Sequence, residues 1–113
     1  MEVSCHCGNV KLIMARYPIE IAECNCSICR RYAAYWAYFS PSEVDIQVGD
    51  KGTKPYIWGD KEVEFHHCNS CGCITHYIST AKCSVDRTAV NMRMATSEQL
   101  QGLALRHIKG VLY

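Results

Sequence analysis

Within eight residues, Cys24-Asn25-Cys26-Ser27-Ile28-Cys29-Arg30-Arg31, the chain carries three thiols and two guanidinium groups. Thiols this close together suit a soft or borderline cation, and in a reducing compartment zinc is the leading candidate. Ser27 is placed to cap a short helix through Ile28, Arg30, Arg31 and Tyr32. That helix would put Cys26 and Cys29 at its positive end and favour thiolate over thiol. Arg30 and Arg31 diverge by about 100° on a helix, so one of them is expected to reach the metal or a bound anion while the other faces solvent. Three sulfurs leave one tetrahedral position open, as a catalytic metal site requires.

A second set of thiols reads differently. Cys5-His6-Cys7-Gly8 and Cys68-Asn69-Ser70-Cys71-Gly72 are two short-spaced pairs, each followed by a glycine. Gly8 is expected to take positive φ just after the second thiol. Two such turns make one closed four-thiolate site, expected to be structural. It would join segments more than sixty residues apart, so the metal constrains the unfolded chain and adds directly to folding free energy. Cys73 and Cys83 are left over. Either of them, or His6, His66, His67 or His76, could complete the three-thiol set, and the residues alone do not choose. Cys73 reads as a small buried side chain.

The elements that must position these thiols are short. Strands are expected over 9–15, 19–23, 35–39 and 44–48, in a hairpin from Tyr56–Trp58 to Val63–Phe65, and over 74–78 and 88–92. Ser97 is expected to cap a short helix at 97–100. Short strands about ten residues apart, with cysteines at the turns between them, predict a mainly β, antiparallel domain with one or two short helices, stapled by metal.

At 113 residues the chain is expected to be one domain, 1–113. A net charge of +1 provides no field for a polyanion, so nucleic acid is not the default partner. No stretch approaches the roughly 20 apolar residues of a membrane span. The start, Met-Glu-Val-Ser-Cys-His-Cys, has no apolar run before its first cysteines, which predicts a cytoplasmic, reducing address. Of the nine cysteines, the clustered ones are then expected to be metal ligands rather than disulfides.

The three motifs, with Ser4 and Asn9-Val10 around the first, Gly49 followed by Tyr56, and Val90-Asn91-Met92-Arg93, resemble the glutathione-dependent formaldehyde-activating enzyme family, which includes centromere protein V. The resemblance runs from about Val3 to Ala95. It implies a β-tent fold, a structural zinc on Cys5, Cys7, Cys68 and Cys71, and a catalytic zinc on Cys24, Cys26 and Cys29. It also implies a carbon–sulfur lyase activity like that of S-(hydroxymethyl)glutathione synthase, with a small thiol such as glutathione and a small aldehyde as partners. Asn25 stands where the family often has histidine.

Zinc with three thiolates carries a net negative charge and is a weak Lewis acid, so binding a thiol as thiolate suits it better than activating water. Arg30 or Arg31 would offset the charge that develops or hold a substrate carboxylate. Tyr32, Tyr35, Trp36 and Tyr38 are candidates for the pocket wall. The rival is a non-catalytic zinc module for protein or nucleic-acid interaction, which requires a closed second site. A redox-sensing thiol cluster is a third reading. Oligomeric state is not legible.

Overall fold

The computed structural model describes residues 1–110, so the last three residues of the expected 1–113 domain lie outside the described residues. Two sheets form. The smaller has the strand order β1-β2-β5, with β1 at Glu2–Ser4, β2 at Val10–Met14 and β5 at Val44–Val48. The larger is seven-stranded, in the order β10-β3-β4-β9-β8-β7-β6. Its strands are β3 (Glu20–Cys24), β4 (Trp36–Phe39), β6 (Thr53–Tyr56), β7 (Val63–Cys68), β8 (Ile74–Ser79), β9 (Thr88–Asn91) and β10 (Ala104–Ile108). Two four-residue helices, α1 (Cys29–Tyr32) and α2 (Ser97–Leu100), complete the frame.

The mainly β expectation holds, and every strand pair is antiparallel except β10 with β3. That pair is parallel because the chain leaves β9 through α2 and returns along the free edge of β3. β1 and β10 were not expected from the sequence. β1 has only three residues, and β10 is almost wholly exposed, so neither shows an alternating apolar pattern. The expected Tyr56–Trp58 strand ends at Tyr56, and residues 57–62 form a longer connection into β7.

One step along a strand changes which core a side chain enters, because successive residues face opposite sides of a sheet. Ile21, Ala37, Phe39 and Val90 join Val3, Val10, Leu12, Met14 and Val44 of the small sheet in one cluster. Their neighbours Ala22, Trp36 and Ala89 join Phe65, Tyr77 and Cys29 in a second cluster on the outer face of the large sheet. Burying each such large side chain contributes roughly 1.5–3 kcal/mol. The second cluster is built mainly from rings. Trp36 and Phe65 both pack edge-on or tilted around Tyr77, with centroids 4.9 and 5.4 Å from its ring.

Asn9 bolts three turns together. Its Nδ2 donates to the Gly52 carbonyl at 3.1 Å and to Cys68 Sγ at 3.4 Å, and its Oδ1 accepts from the Lys51 N–H at 3.3 Å. The Gly49 N–H donates to the Asn9 carbonyl at 2.7 Å, and a Cβ on Gly49 would lie 2.5 Å from Asn9 Oδ1. Glycine is required at position 49 for space.

Candidate functional site

Each glycine-terminated pair is closed by its glycine, in turns of different size. The Gly8 N–H donates to the carbonyl of Cys5, three residues back, at 3.1 Å, and the Gly72 N–H to that of Cys68, four residues back, at 3.0 Å. Both glycines are left-handed, with φ of 82° and 78°, and a Cβ on either would meet nothing within 4 Å. Glycine is favoured here by backbone conformation alone.

These turns bring Cys5, Cys7, Cys68 and Cys71 together, all four sulfurs within 4.8 Å of one another. Cys7 Sγ lies 3.7 Å from Cys5 Sγ and 3.6 Å from Cys68 Sγ. Four sulfurs at 2.3 Å from a common zinc would be about 3.8 Å apart, so the set fits that ion. Backbone N–H groups point at the sulfurs, as thiolates need: Val10 to Cys5 at 3.3 Å, and Ser70 and Cys71 to Cys68 at 3.3 and 3.5 Å. The Cys71 N–H and the Asn9 amide help bring the Cys68 thiol down to about 7. Burial opposes ionisation of Cys71, but the N–H groups of Cys73 and Cys7 and the neighbouring thiols bring it to about 5. Burial raises Cys5 to about 11.

Cys24, Cys26 and Cys29 form the second set, also within 4.8 Å. Cys24 ends β3, and Cys29 opens α1. Ser27 does not cap that helix: Ile28 occupies the cap position without a side-chain bond, and Cys26 Sγ accepts the Cys29 N–H at 3.4 Å. Sulfur takes the place of the expected hydroxyl because the turn begins at Cys26, whose carbonyl accepts from the Arg30 N–H. Trp36 Nε1 donates to Cys29 Sγ at 3.4 Å. Burial raises the Cys24 and Cys29 thiols. Burial also opposes ionisation of Cys26, yet the Cys29 N–H and the two neighbouring thiols bring it below its ordinary value.

Among the described residues no fourth Cys, His, Asp or Glu joins this set. Cys73 lies beside Cys71 at the other cluster, and its carbonyl accepts the Cys68 N–H at 2.9 Å. The Cys83 N–H closes a turn onto Thr80. His66 and His76 stack on each other, 4.8 Å between centroids, with His66 bonded to Thr53 and Glu64 and His76 to Thr75. His67 sits on β7 opposite Lys54, and exposed His6 lines a groove with Arg31 and Arg93.

The three thiols stand between two openings. On one side is a cleft of about 200 Å³ walled by Trp36, Tyr38, Trp58, Phe65 and Tyr77, with Asp60 and Glu62 among its lining. On the other, Cys24 and Cys29 line a depression with Arg30, His107 and Lys109. Arg31 does not join them, since its guanidinium donates to the Ser27 carbonyl at 2.6 Å. Tyr32 packs edge-on against Phe65, and Tyr35 carries the Arg93 guanidinium 3.7 Å above its ring. Arg87 lies 4.4 Å over the Tyr38 ring and bonds toward the Tyr77 side chain.

Trp58, Phe65, Tyr77 and Arg87 were not singled out from the sequence. They sit on separate strands and loops, and the only signal was their aromatic or cationic type. Asn25, in the middle of the cysteine motif, uses its Oδ1 to accept the Gly110 N–H at 3.0 Å. A Cβ on Gly110 would lie 2.5 Å from Cys26 Cβ and 3.0 Å from Cys24 Sγ, so the chain after β10 is pressed against the cluster.

Fold and site define a small β protein with two separate sets of thiols that could hold metal ions, one of four sulfurs and one of three that borders a cleft. The sequence profile of the glutathione-dependent formaldehyde-activating enzyme family matches residues 1–106. The chain belongs to that family. A crystal structure of a Rhodobacter sphaeroides protein, solved as a structural-genomics target, shares the fold with a TM-score of 0.74, at 24% identity over 93% of this chain and 99% of that one. No helix among the described residues is long and apolar enough to cross a membrane.

Proposed function

We propose that the chain is a zinc-dependent enzyme of carbon–sulfur lyase type, resembling S-(hydroxymethyl)glutathione synthase, which joins a thiol to an aldehyde and runs the reverse cleavage. The observation that supports this is three clustered thiols beside a cleft with no fourth ligand among the described residues. The rival, a non-catalytic zinc module, requires that fourth ligand. In this reading zinc on Cys5, Cys7, Cys68 and Cys71 is structural, while zinc on Cys24, Cys26 and Cys29 lets a substrate thiol ionise at neutral pH.

The chain's own groups do the rest. Arg30, with Lys109, is placed on the depression beside Cys24 and Cys29 to hold a carboxylate of a glutathione-type thiol. Arg31 is the less well placed of the two arginines. The carbonyl compound enters by the aromatic cleft. As the carbon–sulfur bond forms its oxygen gains negative charge, and in this reading Tyr38 and Tyr77, which line the cleft, donate to it through their hydroxyls. Trp36 and Phe65 keep that wall dry. Reduced thiols in this number suit the cytoplasm.

The test is bound zinc per chain, together with adduct formation from glutathione and a series of aldehydes starting with formaldehyde, in native protein and in Cys26→Ala. Two zincs falling to one with loss of turnover supports the enzyme. Two zincs with no turnover on any thiol and aldehyde removes it.

A further inference from the structure

The cleft beside Cys24, Cys26 and Cys29 is much larger than formaldehyde. It measures about 200 Å³, whereas an apolar cavity of about 150 Å³ accommodates benzene. An aldehyde of two heavy atoms occupies little more than a water's share of liquid, about 30 Å³. It would leave most of the cleft, with the half-buried Tyr38 and Trp58 on its wall, filled with water. Burying apolar wall against apolar ligand is the main source of affinity in such sites, so the wall describes its occupant.

The composition of the wall narrows the choice. Trp36, Tyr38, Trp58, Phe65 and Tyr77 supply rings, and Ile28 and Val63 supply aliphatic surface. Trp36 and Phe65 meet Tyr77 at interplanar angles of 69° and 71°. Those three rings are nearly buried, and a ring entering beside the half-buried Tyr38 and Trp58 can meet them in the offset or edge-to-face arrangements that aromatic pairs prefer. The charged side chains in the lining are Asp60 and Glu62, both acidic, and Arg87 is applied to the Tyr38 ring instead of to the cleft. A carboxylate inside would meet two like charges beside a cluster of thiolates.

We infer that this cleft binds the carbonyl partner, and that this partner is a neutral aldehyde with an aryl-sized apolar body, neither formaldehyde nor a carboxylate-bearing aldehyde. The inference rests on the proposed function for the reaction but not for the binding. In that reaction the thiol sulfur bonds to the carbonyl carbon, the carbonyl π pair moves to oxygen, and the proton lost by the thiol ends on that oxygen. Nothing is oxidised. The aryl group lies among the rings, and the remainder of the thiol lies on the Arg30 side.

Both tryptophans of the chain line the cleft, so intrinsic emission reports on it directly. Benzyl alcohol has the ring and no carbonyl to react. Titrated into the zinc-loaded protein, it is expected to shift tryptophan emission saturably, at concentrations at least tenfold below those of methanol or glycolate. Trp58→Ala is expected to raise its half-saturation at least tenfold with metal content unchanged, Trp36 remaining as reporter. With glutathione as thiol, benzaldehyde is expected to exceed both formaldehyde and glyoxylate in kcat/KM by tenfold or more.

Saturable benzyl alcohol binding without turnover of any aldehyde supports the cleft assignment and removes the enzyme reading. Formaldehyde turnover that exceeds benzaldehyde turnover, or the absence of saturable benzyl alcohol binding, overturns the inference and leaves the enzyme reading standing.

Discussion

The four-thiol and three-thiol clusters use the same ligand but are built in opposite ways. The four-thiol set comes from two glycine-terminated turns, is bonded by the Asn9 amide and receives backbone N–H groups at Cys5 and Cys68. Its ligands lie on two distant segments, so nothing is left for a substrate to complete. The three-thiol set is local to one turn, has the Cys29 N–H and the Trp36 indole as donors, and lies between two openings. A cluster that joins distant segments adds to the fold when a metal fills it. A local cluster contributes little to the fold and is free to be incomplete.

That contrast can be broken most directly at the ligands. Cys68→Ala is expected to abolish cooperative folding, because structural zinc supplies on the order of 10 kcal/mol in small metal domains and the thiol is buried. Cys26→Ala is expected to keep the fold and lose one metal. Circular dichroism with metal content checks both, and equal loss of structure in the two variants would sink the division.

Gly110→Val sharpens the same comparison from outside the ligand set. With no room for a Cβ beside Cys26, it is expected to lower affinity at the three-thiol set at least tenfold and leave the other unchanged. Competition of the zinc-loaded protein with a colorimetric chelator resolves the two. Uniform release would mean that the clusters are coupled.

The next effect belongs to the sheet between the clusters. Burial, with His66 beside it, keeps His76 neutral in the fold down to about pH 4, while the unfolded group titrates near 6.5. Between those values the unfolded chain binds more protons. Stability is therefore expected to fall as pH drops from about 6.5 to 4, by at most about 3 kcal/mol. Urea unfolding across that range, with zinc release followed in parallel, should show the decline before metal is lost, and His76→Gln should flatten it.

The smallest effect is at the turns. Gly8→Ala has space for its methyl group but must hold φ at 82°, which costs about 1–2 kcal/mol. A lower urea midpoint with both metals retained is expected, and loss of a metal would show that the turn itself holds the site.

Some of this was legible in residue order because the relevant physics is local. Glycine after a short cysteine pair announces a left-handed turn, and sulfur spacing announces a cluster, so both thiol sets could be written down before any strand was placed. β2 and β9 could be read because one or both of their faces are buried, and β5 because Val44, Ile46 and Val48 alternate with polar residues. β10 could not, because its side chains are exposed and its place beside β3 is held by backbone bonds that any residue can make. The cap of α1 was misread for a related reason: a nearby sulfur competed with the expected hydroxyl for the same N–H.

The make-up of the two thiol clusters and the mainly β character, then, were legible in the sequence alone, since each follows from neighbours along the chain. The tertiary structure decided what those ligands face. Trp36, Trp58, Phe65 and Tyr77 converge from three strands and a connecting segment, and Arg30 of α1 lines one depression with Lys109, which follows β10. The convergence of the aromatic residues depends on strand order and register, and strand order is set by the packing of whole sheets.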